Sequence, residues 1–264
     1  MRPVLLDLGP FSVHAYGLAL ALSFLVGSLW VTRRGRTQGY HEEELNQLFL
    51  WILGSALIGS RLYYAFQHPG DFRDDWLEVF RVWRGGLTQY GGLIGALLVG
   101  WLFIRAHRWS FRGTTDLLAP ALALGEGITR IGCFLSGCCF GTVCRLPWGV
   151  HYPPDSPAHD VLGGAKLQPS PLYLSAGNLV LFFALARVQN ARLRPGRVFA
   201  LYLAGSSLLR FAVDFTRYYV PSDRIAIAGL RLAHSQWVGV VLFGLAVALW
   251  FFAPRAAVRG DARS

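Results

Sequence analysis

The sequence predicts an all-α, polytopic membrane protein with about seven transmembrane helices. Two observations carry that expectation. The composition is 53% hydrophobic and only 15% charged, with a mean hydropathy of +0.39, whereas a soluble domain has roughly a quarter of its residues charged. The apolar residues also gather into seven runs, at about 11–32, 45–66, 87–105, 114–134, 170–188, 198–216 and 235–253. Each run has the roughly 17–22 residues that crossing a bilayer demands. Helices are expected because a spanning segment has no water with which to satisfy its backbone.

Taken in order, the first run follows a start with one arginine, Arg2, interrupted by Asp7 and lacking a clean small-residue cleavage pattern. It is therefore expected to be a retained helix and not a signal peptide. Orientation follows from the basic residues between runs. One side collects thirteen arginines: Arg33, Arg34 and Arg36; Arg105, Arg108 and Arg112; Arg187, Arg192, Arg194 and Arg197; and Arg255, Arg259 and Arg263. The other side collects nine basic residues, from Arg2 to Arg231. The richer side is expected to be cytoplasmic, which puts the N-terminus outside and the C-terminus in the cytoplasm. Residues 1–264 then form a single transmembrane domain with long outside loops at about 67–86 and 142–169. The second loop is rich in Pro and Gly and holds His151 and His159. Loops of that length between helices are often functional. The net charge of +10 fits cytoplasmic loops and an anionic lipid surface. No nucleic-acid motif accompanies it, so no nucleic-acid partner is expected.

The chemistry concentrates in Gly127-Ile128-Thr129-Arg130-Ile131-Gly132-Cys133-Phe134-Leu135-Ser136-Gly137-Cys138-Cys139-Phe140-Gly141, at the end of the fourth run. Ionisable residues at bilayer depth are costly and read as functional by default; here they are Arg61, Asp116, Glu126, Arg130, Arg210 and Asp214, with Arg217 just beyond. Arg210, Asp214 and Arg217 share one helix face, and Glu126 and Arg130 are four apart. Two readings fit. The charges are structural ion pairs, or the arginines line a cavity open to the outer leaflet and clamp a phosphate, which the guanidinium fork suits. The Gly91-Gly92-Leu93-Ile94-Gly95 stretch is read first as close helix packing, and second as backbone N–H groups presented to an anion at a helix start. The four cysteines, Cys133, Cys138, Cys139 and Cys144, do not have zinc-ribbon spacing. Buried apolar thiols, an outside disulfide, a reactive thiolate beside Arg130 and a metal site all stay open.

In these stretches the chain resembles the bacterial prolipoprotein diacylglyceryl transferase family. The resemblance runs through Leu8-Gly9-Pro10, His14-Ala15-Tyr16-Gly17, Gly59-Ser60-Arg61, Phe80-Arg81-Val82-Trp83 and Gly91-Gly92-Leu93-Ile94-Gly95. It continues through Asp116 with Ala119-Pro120, Arg130-Ile131-Gly132, Gly137, Gly141, Pro169-Ser170, Arg210, Asp214-Phe215, Arg217 and Ser235-Gln236. It covers nearly the whole chain in order. The resemblance implies a multi-pass enzyme of the bacterial plasma (inner) membrane. Its partners would be the lipid bilayer, phosphatidylglycerol, and preprolipoprotein signal peptides bearing a lipobox cysteine. Diacylglyceryl would pass from phosphatidylglycerol to the lipobox thiol, with no cofactor and no metal. It implies catalytic roles for Arg130, Arg210, Asp214 and Tyr16, and substrate-binding roles for Arg61, Tyr90, Gly91, Gly92, Asp116, Cys133, Cys138, Gly141 and Arg217. Departures are also visible: the family usually has His at the position of Tyr90, Asn at Cys133 and Ser136, and Glu at Cys138 and Asp214. The departures at Cys133 and Cys138 keep a rival expectation in play, a membrane thiol-redox or metal-handling protein built on the Cys133–Cys144 cluster. A transporter is a third, unsupported by any inverted repeat.

Overall fold

The computed structural model describes residues 4–7, 12–72, 75–81, 85–191, 193–220, 224–227 and 230–252. Leu8-Gly9-Pro10, Val82-Trp83, Arg2, Arg73, Arg84, Arg192, the outermost residues 11 and 253 of the first and last apolar runs, and the tail with Arg255, Arg259 and Arg263 lie outside the described residues. The helices are α1 (Ala15–Arg36), α2 (Glu42–Gln67), α3 (Gln89–Ala106), α4 (Phe111–Leu135), α5 (Pro157–Leu162), α6 (Ser170–Val188), α7 (Arg197–Asp214) and α8 (His234–Phe251). Two 3-10 turns, Pro69–Phe72 and Trp76–Phe80, and three short antiparallel two-stranded sheets complete the described elements: β1 (Val4–Asp7) with β2 (Ser12–His14), β3 (Val150–His151) with β4 (Lys166–Leu167), and β5 (Arg224–Ile227) with β6 (Leu230–Ala233).

The seven long helices fall where the seven apolar runs predict them. Six of them, all but α7, are long and apolar enough to cross a membrane. Helix α7 has 18 residues but carries Arg197, Arg210 and Asp214. The sites of side-chain exposure agree with a lipid surround. Leu18, Leu22, Leu25 and Leu29 of α1 and Leu93 and Leu97 of α3 are exposed, while Ser23, Ser175, Asn178, Ser207 and Gln236 are buried. Apolar faces turned outward and small or polar residues turned inward are how helices pack in lipid. The chain is a multi-pass membrane protein.

Local signals set the helix ends. Helix α1 closes on Arg33, Arg34 and Arg36, and α2 opens on Glu42, Glu43 and Glu44. Cations at a C-terminus and anions at an N-terminus both complement the helix dipole. The charged start lies ahead of the apolar run, which is why α2 begins before residue 45. Helix α5 begins at Pro157, after Ser156, whose Oγ accepts from the His159 N–H at 3.4 Å.

The chain forms two compact units, Met1–Trp30 with Thr115–Gly260, and Val31–Thr114. In the first, Ala119 and Ala123 of α4 pack with Phe182 and Leu185 of α6 and Val198 of α7. Trp30 of α1 meets Phe182 edge-on, with ring centroids 4.9 Å apart. A second apolar cluster, Tyr152, Ala158 and Leu167 with Phe134 and Phe140, gives the 142–169 segment a core of its own. In the other unit, α2 and α3 approach at glycines: a Cβ on Gly59 or Gly91 would run into the other's carbonyl, and one on Gly95 into that of Ser55. Of the two readings of Gly91-Gly92-Leu93-Ile94-Gly95, the geometry supports packing. The Gly92 N–H donates to the Thr88 carbonyl at 3.3 Å.

Candidate functional site

Glu126, Arg130 and Cys133 occupy one face of the last three turns of α4, at i, i+4 and i+7. Gly132 lets α1 pack closely there, since a Cβ would press on Ala19 and lie 3.2 Å from the Tyr16 Cα. After Leu135 the chain must turn back sharply. Gly137 does so at φ +67°, with Ser156 and Tyr152 filling the space a side chain would need. Cys139 also takes a left-handed φ of 60°, a conformation that costs a non-glycine residue and tends to mark functional sites. The double reversal folds the Cys138-Cys139 pair back onto α4. The Cys138 thiol donates to the Cys133 carbonyl at 3.5 Å, and the sulfurs of Cys133, Cys138 and Cys139 all lie within 4.8 Å of one another. All four cysteines are free thiols.

Arg130 stands beside this cluster. Its Nη2 donates to Glu126 Oε1 at 3.1 Å, and its Nη1 lies 4.0 Å from Cys133 Sγ. Its Nε is buried with no hydrogen-bond partner among the described residues. A guanidinium with a donor left over is a poor structural pin and a ready anion ligand. Tyr16, at the start of α1, is within electrostatic range of Arg130 and the three sulfurs.

The C-terminal end of α7 joins the same region through the backbone. Gly141 and Arg217 form a β-bridge, the Tyr218 N–H donates to the Phe140 carbonyl at 3.1 Å, and the Thr142 N–H to that of Thr216 at 2.9 Å. Gly141 is small because its Cβ position is taken by Ser170 and Gln168; it serves the joint and does not open space. Hydrogen bonds from Cys133 and Cys138, and then the positive charges of Arg217 and Arg130, hold the Cys139 thiol below the ordinary thiol range. Hydrogen bonds with Cys133 and Cys139 push the Cys138 thiol up.

Asp214 is buried at the end of α7. Tyr219 Oη donates to its Oδ1 at 2.8 Å and Ser235 Oγ to its Oδ2 at 2.6 Å. Arg210 Nε is 3.8 Å from Oδ2. Asp214 is thus fixed by two hydroxyls and meets Arg210 at longer range, while the Arg210 side chain stays about a third exposed, at 31%. Arg217 stacks over the Tyr219 ring at 5.2 Å.

The other expected site residues have different surroundings. Arg61 is 5% exposed. It donates from Nε to the Val79 carbonyl at 2.9 Å, from Nη1 to those of Gly85 at 2.6 Å and Gly86 at 3.2 Å, and from Nη2 to that of Glu78 at 2.6 Å. Four of its five N–H groups therefore hold the loop after α2, and the geometry favours loop anchoring over anion contact. Asp116 caps α7, accepting from the Gly196 N–H at 2.7 Å and the Phe199 N–H at 2.8 Å. It sits fourteen residues before Arg130 on α4, roughly 21 Å along the helix. Tyr90 is 65% exposed at the start of α3, beside the buried Gly91 and Gly92. Sequence reasoning missed Tyr219 as a partner of Asp214, because nothing in the sequence shows the chain doubling back after α7. Ser235 appeared only within the resemblance.

Fold and site together define a multi-pass helical membrane protein with a partly buried arginine–thiol centre at the end of its spans. The sequence profile described as prolipoprotein diacylglyceryl transferase matches residues 3–252. The phosphatidylglycerol–prolipoprotein diacylglyceryl transferase of Chromohalobacter salexigens is 36% identical over 255 residues, covering 94% of this chain and 91% of that protein. Proteins of the same name from Gloeobacter violaceus and a Synechocystis species are 32% and 30% identical, each covering at least 95% of this chain and 89% of their own length. The chain belongs to the prolipoprotein diacylglyceryl transferase family.

Proposed function

We propose that this protein transfers the diacylglyceryl group of phosphatidylglycerol to the lipobox cysteine thiol of a prolipoprotein, in the bacterial inner membrane. The thiol sulfur gives up its proton and forms a bond to the glyceryl carbon, the carbon–oxygen bond to phosphate breaks, and glycerol phosphate leaves with one proton taken up. Negative charge on the departing phosphate is what a protein must stabilise in such a step, and fixed donors in a low-dielectric site do this best. Arg130 and Arg210 take that role. Asp214, held by Tyr219 and Ser235, orients Arg210; Arg217 adds positive potential from the next turn; Tyr16 lines the centre. Cys133 and Cys138 stand at the headgroup side of Arg130. Arg61, Gly91 and Gly92 shape the loop and helix pair that carry Tyr90, and Asp116 keeps α7 in place from its far end.

The observation that supports this reading most is the Arg130 Nε, buried and without a partner among the described residues. The arginine distribution supports an N-terminus outside and a C-terminus in the cytoplasm, with residues 1–264 as one transmembrane domain and the 67–86 and 142–169 loops outside. The test is transfer of labelled diacylglyceryl from phosphatidylglycerol to a lipobox peptide by the purified protein. A thioether-linked product is expected. Absence of product, under conditions where another family member is active, would reject the assignment.

A further inference from the structure

We propose that Cys133, Cys138 and Cys139 form a trigonal thiolate site for a soft monovalent cation, Cu(I). The site adjoins Arg130 and does not rest on the proposed transfer reaction. Three sulfurs within 4.8 Å of one another need only small side-chain adjustments to share one ion, because thiolates bonded to one metal at about 2.3 Å stand roughly 4 Å apart. The backbone has been bent to bring them there: Gly137 and Cys139 both take left-handed φ values, and the reversal sets two consecutive cysteines against the one on α4. Soft thiolate donors favour Cu(I). Zn(II) in a structural site takes four ligands, and the cluster offers three among the described residues.

The surroundings suit three thiolates. Arg130 lies beside Cys133, and the charges of both Arg217 and Arg130 reach Cys139. Two guanidinium groups offset most of the excess negative charge of a tris-thiolate Cu(I) unit, less the share Glu126 takes from Arg130. Tyr152 supplies the second, independent observation. It is 4% exposed, lies within electrostatic range of Cys138 and Cys139, and its hydroxyl has no hydrogen-bond partner among the described residues. A buried O–H donor with its hydrogen bond unspent, close enough to feel the charge of these sulfurs, is available as an outer partner of the kind that tunes metal sites. Cys138 and Cys139 are only half-buried, which leaves a way in. Binding replaces three S–H bonds by three S–Cu bonds and releases the thiol protons to solvent, with no change in oxidation state.

The test uses the full-length protein in detergent under anaerobic conditions, with Cu(I) supplied from a coloured chelator. One equivalent should move to the wild-type protein. Cys133→Ser and Cys139→Ser should each weaken binding more than 100-fold, and Cys144→Ser should not. X-ray absorption of the loaded wild type should give a shell of three sulfurs, and this readout decides the matter if the serine variants do not fold. No transfer of Cu(I), a shell with fewer than three sulfurs, equal damage from Cys144→Ser, or displacement of Cu(I) by Zn(II) would each overturn the assignment.

Discussion

Two intramembrane arginines, one in each compact unit, show how the same residue type serves different ends. Arg61 is enclosed and donates to four backbone carbonyls between Glu78 and Gly86. Arg130 has one carboxylate, Glu126, a neighbouring thiol, and a buried Nε without a partner among the described residues. The surroundings differ in the same sense. The helices beside Arg61 enclose an apolar groove of about 610 Å³, lined by residues such as Trp51, Ile58, Phe66 and Leu98. Arg130 faces thiols and Tyr16, and the charge of Arg217 bears on Cys139. The lesson is to count donors. A guanidinium whose donors end on carbonyls organises the chain, and one with donors to spare is placed to meet an anion.

That contrast breaks first at Arg130. Arg130→Ala should lower transfer to a lipobox peptide by roughly 10³-fold, about 4 kcal/mol in the barrier, with the protein still folded by circular dichroism and gel filtration. Arg61→Ala should act on stability instead. Loss of the guanidinium strands four carbonyls, and unfolding should become easier by about 3 kcal/mol, read as a lower thermal midpoint and faster proteolysis within residues 75–81. Gly91→Ala sharpens the account of the same unit. Its methyl would meet the Gly59 carbonyl and Tyr63, costing about 2 kcal/mol in thermal stability. The smallest effect is expected from Asp116→Asn. One cap oxygen is replaced by an amide that cannot accept, so about 1 kcal/mol of stability should be lost; a loss of transfer with unchanged stability would return Asp116 to the substrate site.

Hydropathy alone made the seven long helices legible, because lipid imposes both their length and their internal hydrogen bonding. The two-stranded sheets were not legible. Strands of two to four residues, such as Val150–His151 against Lys166–Leu167, are too short to show a period. At the site, the cluster from Arg130 to Gly141 announced itself through a charge and thiols at bilayer depth. What separates Arg61 from Arg130 could not be read, since it depends on partners 17 to 25 residues away for Arg61 and on none for one nitrogen of Arg130. Asp116 is similar: it caps a helix 80 residues further on, and in the sequence an N-terminal cap at that distance is indistinguishable from a ligand. The Gly91 stretch was the converse case, where packing was the simpler reading and the coordinates support it.

The most direct measurement follows labelled phosphatidylglycerol and a lipobox peptide through the purified wild-type protein and its Arg130→Ala variant, side by side and equally folded. The account predicts a thioether-linked diacylglyceryl peptide with the wild type and almost none with the variant. Equal product from both would show that the unpartnered guanidinium at the end of α4 does not act on the phosphate.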